Sequence, residues 1–191
     1  MNGINTTALA DFAAAVTTDP KAGEARFAVD THWQGASRSR AHVSSYHLGG
    51  QEHPRQFVID ADEPPGLLGD DTAPNPQELL LAGLNACMTA GIVATTAARG
   101  IALTSLRIRT SGQLDLRGYL GLDPDVNPGY DRVDVHIEAT SPAAVADLHA
   151  AITDAVRHSP NFNNFRRAIS VTPTITTAAG KPAVAGDASA R

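Results

Sequence analysis

The sequence predicts an α+β domain in which a largely antiparallel sheet backs two helices, one of them long and buried. Three observations carry this expectation. Leu79 to Ala98 holds no charge and follows helix-opening signals. Asp131 to Ala139 alternates strictly, with Val133, Val135 and Ile137 on one face. Val145, Leu148, Ile152 and Ala155 fall on one helical stripe.

Residues 1–24 read as an arm with one short helix around Ala8 to Val16, broken by Pro20 and Gly23. The arm is expected to pack on the surface or on a partner subunit. Ala25 to Trp33 reads as a strand, Gln34 to Ser39 as a turn, and Arg40 to His47 as the returning strand of a hairpin. Gln56 to Asp60 is a third short strand. Asp62 to Asn75, dense in Pro, Gly and Asp, is loop. Its GLLGDD run lacks the strand–loop–helix setting of a phosphate loop and reads as a turn.

The long helix has the clearest boundaries. Asn75 suits the N-cap and Pro76 the first helical position. Glu78 sits in the first turn, where the helix dipole favours an anion; Arg99 suits the last turn, and Gly100 ends the helix. Its uncharged stretch has about the length of a bilayer span. Gly83, Asn85, Thr89, Gly91, Thr95, Thr96 and many alanines make it too polar for one. A core helix wrapped by sheet or by a second subunit is expected instead.

Leu103 to Arg117 reads as a strand and Gly118 to Tyr130 as a loop. Ser141-Pro142 opens the second helix, which ends near His158 because Pro160 disfavours helix at Ser159. Ile169 to Thr177 reads as a last strand, with Pro173 placing it at an edge. The domain is thus expected over residues 25–177, followed by a disordered tail over 178–191.

A chain of 191 residues suffices for one domain with a substantial core. Few residues are aromatic, so Ala, Val, Leu and Ile must build it. Net charge is −5 and no basic patch stands out, so neither nucleic acid nor a membrane is an expected partner. A single cysteine excludes an intrachain disulfide. With an N-terminus that lacks a basic leader, it points to the cytoplasm. His32, His42, His47 and His53 show no metal-ligand spacing on one rigid element, and neither a metal nor another cofactor is expected.

The stretch DEPPGLLGDDTAPNPQELLLAGLNACMTAGIVATTAARGI, from Asp62 to Ile101, resembles the signature of the OsmC/Ohr family. It has the acidic-Gly loop, the Pro-x-Glu-Leu-Leu start, the small-residue helix, and a cysteine about one helical span after the proline. The hairpin THWQGASRSRAHVSS resembles the family's Gly-x-Arg hairpin. HSPNF, His158 to Phe162, stands where many members carry a second cysteine. The resemblance implies a curved, mostly antiparallel sheet with two main helices, in an intertwined homodimer with its sites at the subunit interface. It also implies reduction of organic hydroperoxides by a peroxidatic cysteine. An arginine and a glutamate assist, and the second cysteine closes a disulfide. Position by position, Cys87 matches the peroxidatic cysteine. Arg38 matches the arginine, with Arg40 the competing choice. Gln77 holds the glutamate position, beside Glu78, and Ser159 holds that of the second cysteine.

The chemistry explains why these departures matter. The nucleophile is a thiolate, whereas a free thiol, with a pKa of about 8.5, is mostly protonated at neutral pH. Cys87, expected buried mid-helix and far from the N-terminal dipole, needs a nearby cation. Arg38 offers a permanently charged fork that can hold a thiolate and a peroxide oxygen together. Gln77 brings one carbonyl acceptor and no charge, so it is a weakened orienter of that arginine. Attack leaves a sulfenic acid on Cys87. Ser159 cannot resolve it as a disulfide: either an external thiol reductant does so, or the cysteine over-oxidises, or turnover does not occur. His158 is placed towards Cys87 by the resemblance, and at a helix C-terminus by the dipole argument. The functional expectation is a one-cysteine, thiol-dependent peroxidase, an antioxidant stress protein acting on small organic hydroperoxides. Gln77 and Ser159 motivate the rival: a non-catalytic dimer that binds a small apolar ligand or regulates, with Cys87 merely lining the pocket.

Overall fold

The computed structural model describes residues 1–177; the expected tail over 178–191 lies outside them. Helix α1 (Thr6–Thr18) starts at Asn5, whose side chain accepts from the Ala8 amide, and ends before a 3-10 turn at Pro20–Gly23. It lies against the central helix. Asn2, which sequence reasoning passed over, fastens the arm there. Its amide group donates to Thr96 Oγ1 (3.1 Å) and to the Ile101 carbonyl (2.9 Å), and its oxygen accepts from the Leu103 amide (2.9 Å).

Strands β1 (Ala25–Phe27), β2 (Asp30–Trp33), β3 (Ser39–Leu48) and β4 (Gln51–Ala61) form an antiparallel sheet. β3 is central: β1 and β2 pair end to end along one side of it and β4 along the other. The expected single strand over 25–33 is therefore two, and the turn at Gly35 and Ala36 joins β2 to β3 as expected. β4 is twice the length the sequence suggested. Its early residues follow a two-residue turn, Gly49-Gly50, with φ of 57° and 78°. That left-handed pair suits a tight hairpin turn, which glycine adopts without steric cost. Pro54 faces Ser45 where the register slips, at a bulge on an edge strand that tolerates a missing donor.

Residues 62–75 are loop, as expected, with a 3-10 turn at Pro65–Leu67. The chain folds back so closely that a Cβ on Gly69 would stand 1.8 Å from the Glu63 carbonyl oxygen. Only glycine fits there.

Helix α2 (Pro76–Ala98) starts where predicted and ends one residue before the expected Arg99, which is its C-cap. Its start is a reciprocal capping box: Asn75 accepts from the Glu78 amide and Glu78 accepts from the Asn75 amide, each at 2.9 Å. By length and composition it is apolar enough to cross a membrane. One face, Leu84, Met88, Ile92 and Thr96, is buried against neighbours within the chain. Those neighbours are α1, β5 (Ser105–Gly112), α4 (Val145–His158) and α5 (Pro160–Arg166). Burying each of the three large side chains contributes roughly 1.5–3 kcal/mol. The opposite face, with Ala82, Ala86, Thr89 and Ala90, is exposed.

β5 pairs with β6 (Val133–Thr140) in a separate two-stranded antiparallel sheet, and the Thr110 hydroxyl donates to Asn85 to tie β5 to α2. β5 stops at Gly112 rather than Arg117. Asp115 accepts from the Arg117 amide and starts the short helix α3 (Leu116–Tyr119). α4 begins at Val145, later than Ser141-Pro142 suggested, because the Ser141 hydroxyl closes a local turn onto the Ala143 amide instead. Ile101, Leu148 and Ala151 form a core cluster with Leu103, Ala139 and Ile152 around them. The expected strand over Ile169–Thr177 is not formed. Ile169, Val171 and Ile175 are exposed and pair with no strand among the described residues. The four-stranded sheet likewise shares no extensive contact with the helices, and Phe27, Trp33, Phe57 and Ile59 on it stay open.

Candidate functional site

Cys87 sits in the fourth turn of α2, on the flank of the face that carries Leu84 and Met88. It is half-buried rather than buried. Its sulfur lies 3.3 Å from the hydroxyl of Ser159, which donates to it. Ser159 itself is 2% exposed.

The α4–α5 corner that presents Ser159 follows from its sequence. Pro160 keeps Ser159 out of the helical region (φ −65°, ψ 122°), so α4 ends at His158 as expected. The same Ser-Pro pair then starts α5, which was not foreseen: Ser159 is its N-cap and accepts from the Phe162 amide at 3.4 Å. Asn161 Nδ2 donates to the Gly83 carbonyl (2.9 Å), one turn before Cys87, and fixes the corner to α2. Asn163 Nδ2 donates to the Ser159 and Arg157 carbonyls, both at 2.9 Å.

His158 turns away towards Asp154, with Nδ1 at 2.9 Å from the Asp154 carbonyl oxygen. The Asp154 carboxylate also meets Arg157 (2.7 Å) and Arg99 (2.6 Å), so α4 is tied to the end of α2. The Arg157 hydrogen bond, with Arg99 and His158 adding charge, holds the Asp154 carboxyl below the usual range against the opposing effect of burial.

The two arginines differ. Arg40 lies directly opposite Asp60 across β3 and β4 and donates to both its oxygens, at 2.7 and 3.0 Å. That pair lowers the Asp60 carboxyl from its ordinary value. Arg38, at the end of the hairpin turn, makes only a 3.8 Å approach to Asp70. Arg38 and Arg40 line an open cleft with Gln34, Thr72 and Ala73.

Gln77 lies in the first turn of α2, beside a cavity of about 210 Å³ lined by Leu67, Leu114, Leu116, Tyr119 and Tyr130. Glu78, its neighbour, is engaged in the capping box. Ten residues of helix separate Gln77 from Cys87, about 15 Å along the axis. Within one chain, then, Cys87 and Ser159 meet. Among the described residues no hydrogen bond or ion pair joins Arg38, Arg40 or Gln77 to the cysteine. No group of three or more His, Cys, Asp or Glu side chains there is placed to hold a metal ion.

Sequence reasoning missed Asp62. This carboxylate is 1% exposed and accepts from Ser37 Oγ (2.7 Å), Thr72 Oγ1 (2.8 Å), and the amides of Glu63 (2.9 Å), Thr72 (3.0 Å) and Asp70 (3.3 Å). The Ser37 bond first, then those from Thr72 and Glu63, hold its carboxyl far below the usual range, with burial opposing. The partners lie as far as 25 positions away, and no local spacing marks such a cluster.

The model of the family described as OsmC-like protein matches residues 69–174. No curated protein is similar in sequence. An OsmC-like protein from Mycoplasma pneumoniae shares the fold at 20% identity and a TM-score of 0.59, over 74% of this chain and 87% of that one. An OsmC-like protein of unknown function from Vibrio cholerae gives 12% identity and 0.52, over 72% and 92%. An organic hydroperoxide resistance protein OsmC from Legionella pneumophila gives 19% and 0.50, over 75% and 92%. With the family match covering more than half of the sequence, and the antiparallel sheets and long helix agreeing with those folds, this chain belongs to the OsmC-like protein family.

Proposed function

We propose that the protein is a thiol-dependent peroxidase that reduces small organic hydroperoxides through Cys87, as a homodimer in the cytoplasm. The observation that carries this reading is the Cys87–Ser159 contact. In an OsmC-like chain, the sole thiol leaves the core face of α2 and meets the one position where the family resemblance places a second redox group. The Legionella pneumophila relative is an organic hydroperoxide resistance protein by name.

A second copy supplies what one chain keeps apart. Among the described residues, the four-stranded sheet has no layer packed on it, α2 has an exposed small-residue face, and Ile169–Thr177 has strand alternation without a strand to pair with. Apolar surface of that extent favours association. In the dimer, Arg38 of one copy reaches Cys87 of the other, with Gln77 as a weak orienter. The thiolate attacks the peroxide, the O–O bond breaks, and the departing alkoxide takes a proton to leave as an alcohol. The sulfenic acid left on Cys87 is attacked by an external thiol, which forms a mixed disulfide and releases water. A second thiol restores Cys87 and leaves as a disulfide.

Treatment with one equivalent of cumene hydroperoxide, followed by mass spectrometry, tests this. One added oxygen on Cys87, removed by a thiol and missing in Cys87→Ser, is expected. An unmodified Cys87 would end the proposal. The apolar cavity beside Gln77 favours a second reading, a ligand-binding or regulatory dimer. Since Cys87 does not line that cavity, Cys87→Ser would then leave ligand affinity unchanged, and thiol-dependent turnover by the wild type would count against it.

A further inference from the structure

Ser159 stands where a disulfide partner is implied, yet it is neither idle nor turned away. Its hydroxyl has one proton and two lone pairs. The Phe162 amide donates to that oxygen from the first turn of α5. The Ser159 carbonyl is occupied by Asn163, and Asn161 holds the whole corner against Gly83 on α2. Ser159 is almost wholly buried, so no solvent competes for its proton. The acceptor in reach of that proton is the Cys87 sulfur. A thiolate accepts such a bond far better than a neutral thiol, because hydrogen bonds to ionised acceptors are about twice as strong as neutral ones.

We propose that Ser159 is a positioning residue for Cys87, whose donated hydrogen bond favours the ionised sulfur and fixes the direction in which it faces its reaction partner. The idea rests on Cys87 being the reactive centre argued above, and gives the serine a purpose distinct from resolving a disulfide. The α5 amide engages one lone pair of the oxygen, the proton points at sulfur, and the sulfur faces the α4–α5 corner. The contribution is local and needs no charge, so it acts in one chain whether or not a guanidinium arrives from another copy.

Alkylation of Cys87 by iodoacetamide, followed against pH in the full chain, reads this directly, since the protein has one thiol. Ser159→Ala is expected to move the midpoint of the profile upward by about one pH unit, a roughly tenfold fall in reactive thiolate below the midpoint. Ser159→Thr, which keeps the hydroxyl, is expected to retain the wild-type midpoint. Ser159→Gly is a second deletion in case the alanine variant fails to fold, because glycine at an N-cap costs only a few tenths of a kcal/mol. It should shift as alanine does. Superimposable profiles for the wild type and either deletion would overturn the proposal, as would a threonine variant displaced as far as alanine. The assay contains no peroxide. A shifted profile without peroxide-driven oxidation would sink the peroxidase reading alone; oxidation with an unshifted profile would sink only the role of Ser159.

Discussion

The carboxylate of Asp62 accepts a 2.7 Å hydrogen bond from the hydroxyl of Ser37, joining the loop that leads into α2 to the hairpin turn that carries Arg38. Four more donors from Glu63, Asp70 and Thr72 converge on the same group. Asp62→Ala strands these donors and is expected to lower the melting temperature by about 5 °C or more. The pH dependence follows from the direction of the shift. The folded carboxyl titrates below its unfolded value of 3.8, so its stabilisation is full above that value and is lost as pH falls through the lower, folded one. The gap between wild type and variant should therefore be constant between pH 5 and 7 and narrow only in strong acid, as read by thermal melts. A gap that closes near neutrality would contradict the assignment.

The Asn75–Glu78 capping box sets the start of α2. Asn75→Ala is expected to cost about 1 kcal/mol, and Asn75→Gly only a few tenths, in urea unfolding. An alanine variant as stable as the wild type would show that the cap hydrogen bond does not set the helix start.

Arg38 and Arg40 should separate under mutation. Arg40 is committed to Asp60 across the strands, whereas Arg38 has only a distant acidic neighbour. Arg38→Ala is expected to slow hydroperoxide-driven oxidation of Cys87 roughly tenfold or more, the value of a charge-assisted contact of about 1.5–3 kcal/mol. Arg40→Ala should change it far less. The reverse ranking would transfer the role to Arg40.

The exposed face of α2 is the place to test assembly. Ala86→Arg puts a charge among Ala82, Thr89 and Ala90. Light scattering should give twice the chain mass for the wild type and a single chain for the variant. Ile92→Ala, on the buried face, should instead cost about 2–5 kcal/mol of stability. A wild type that runs as one chain would remove the two-copy site.

The sequence revealed most where local chemistry and tertiary packing agree. Asn75, Pro76 and Glu78 specify a helix start that nothing downstream opposes, and α2 begins where they place it. Elsewhere the same signals misled by being local. Ser-Pro was read as a helix opening at Ser141, where the hydroxyl closes a turn, and not at Ser159, where it caps α5. Alternation over Ile169–Thr177 describes a strand's faces, but a strand also needs an edge to bond to. Gly49-Gly50 marks the β3–β4 turn by the left-handed conformation that glycine alone adopts freely. Cys87, Arg38 and Gln77 were legible as types in a pattern. The Cys87–Ser159 contact is marked by no local spacing, because it depends on how two helices cross 72 positions apart; only the family resemblance, which puts Ser159 at the second-cysteine position, implies it.

The proposed division of the site, with Arg38 and Cys87 drawn from different copies, has a genetic corollary. Two defective alleles, one encoding Cys87→Ser and the other Arg38→Ala, would each impair every such site when expressed alone. In the proposed two-copy site, coexpression would give mixed pairs in which an intact thiol faces an intact guanidinium at one of two places. Intragenic complementation to a fraction of normal hydroperoxide tolerance would follow, as it does for catalytic centres composed from separate polypeptides.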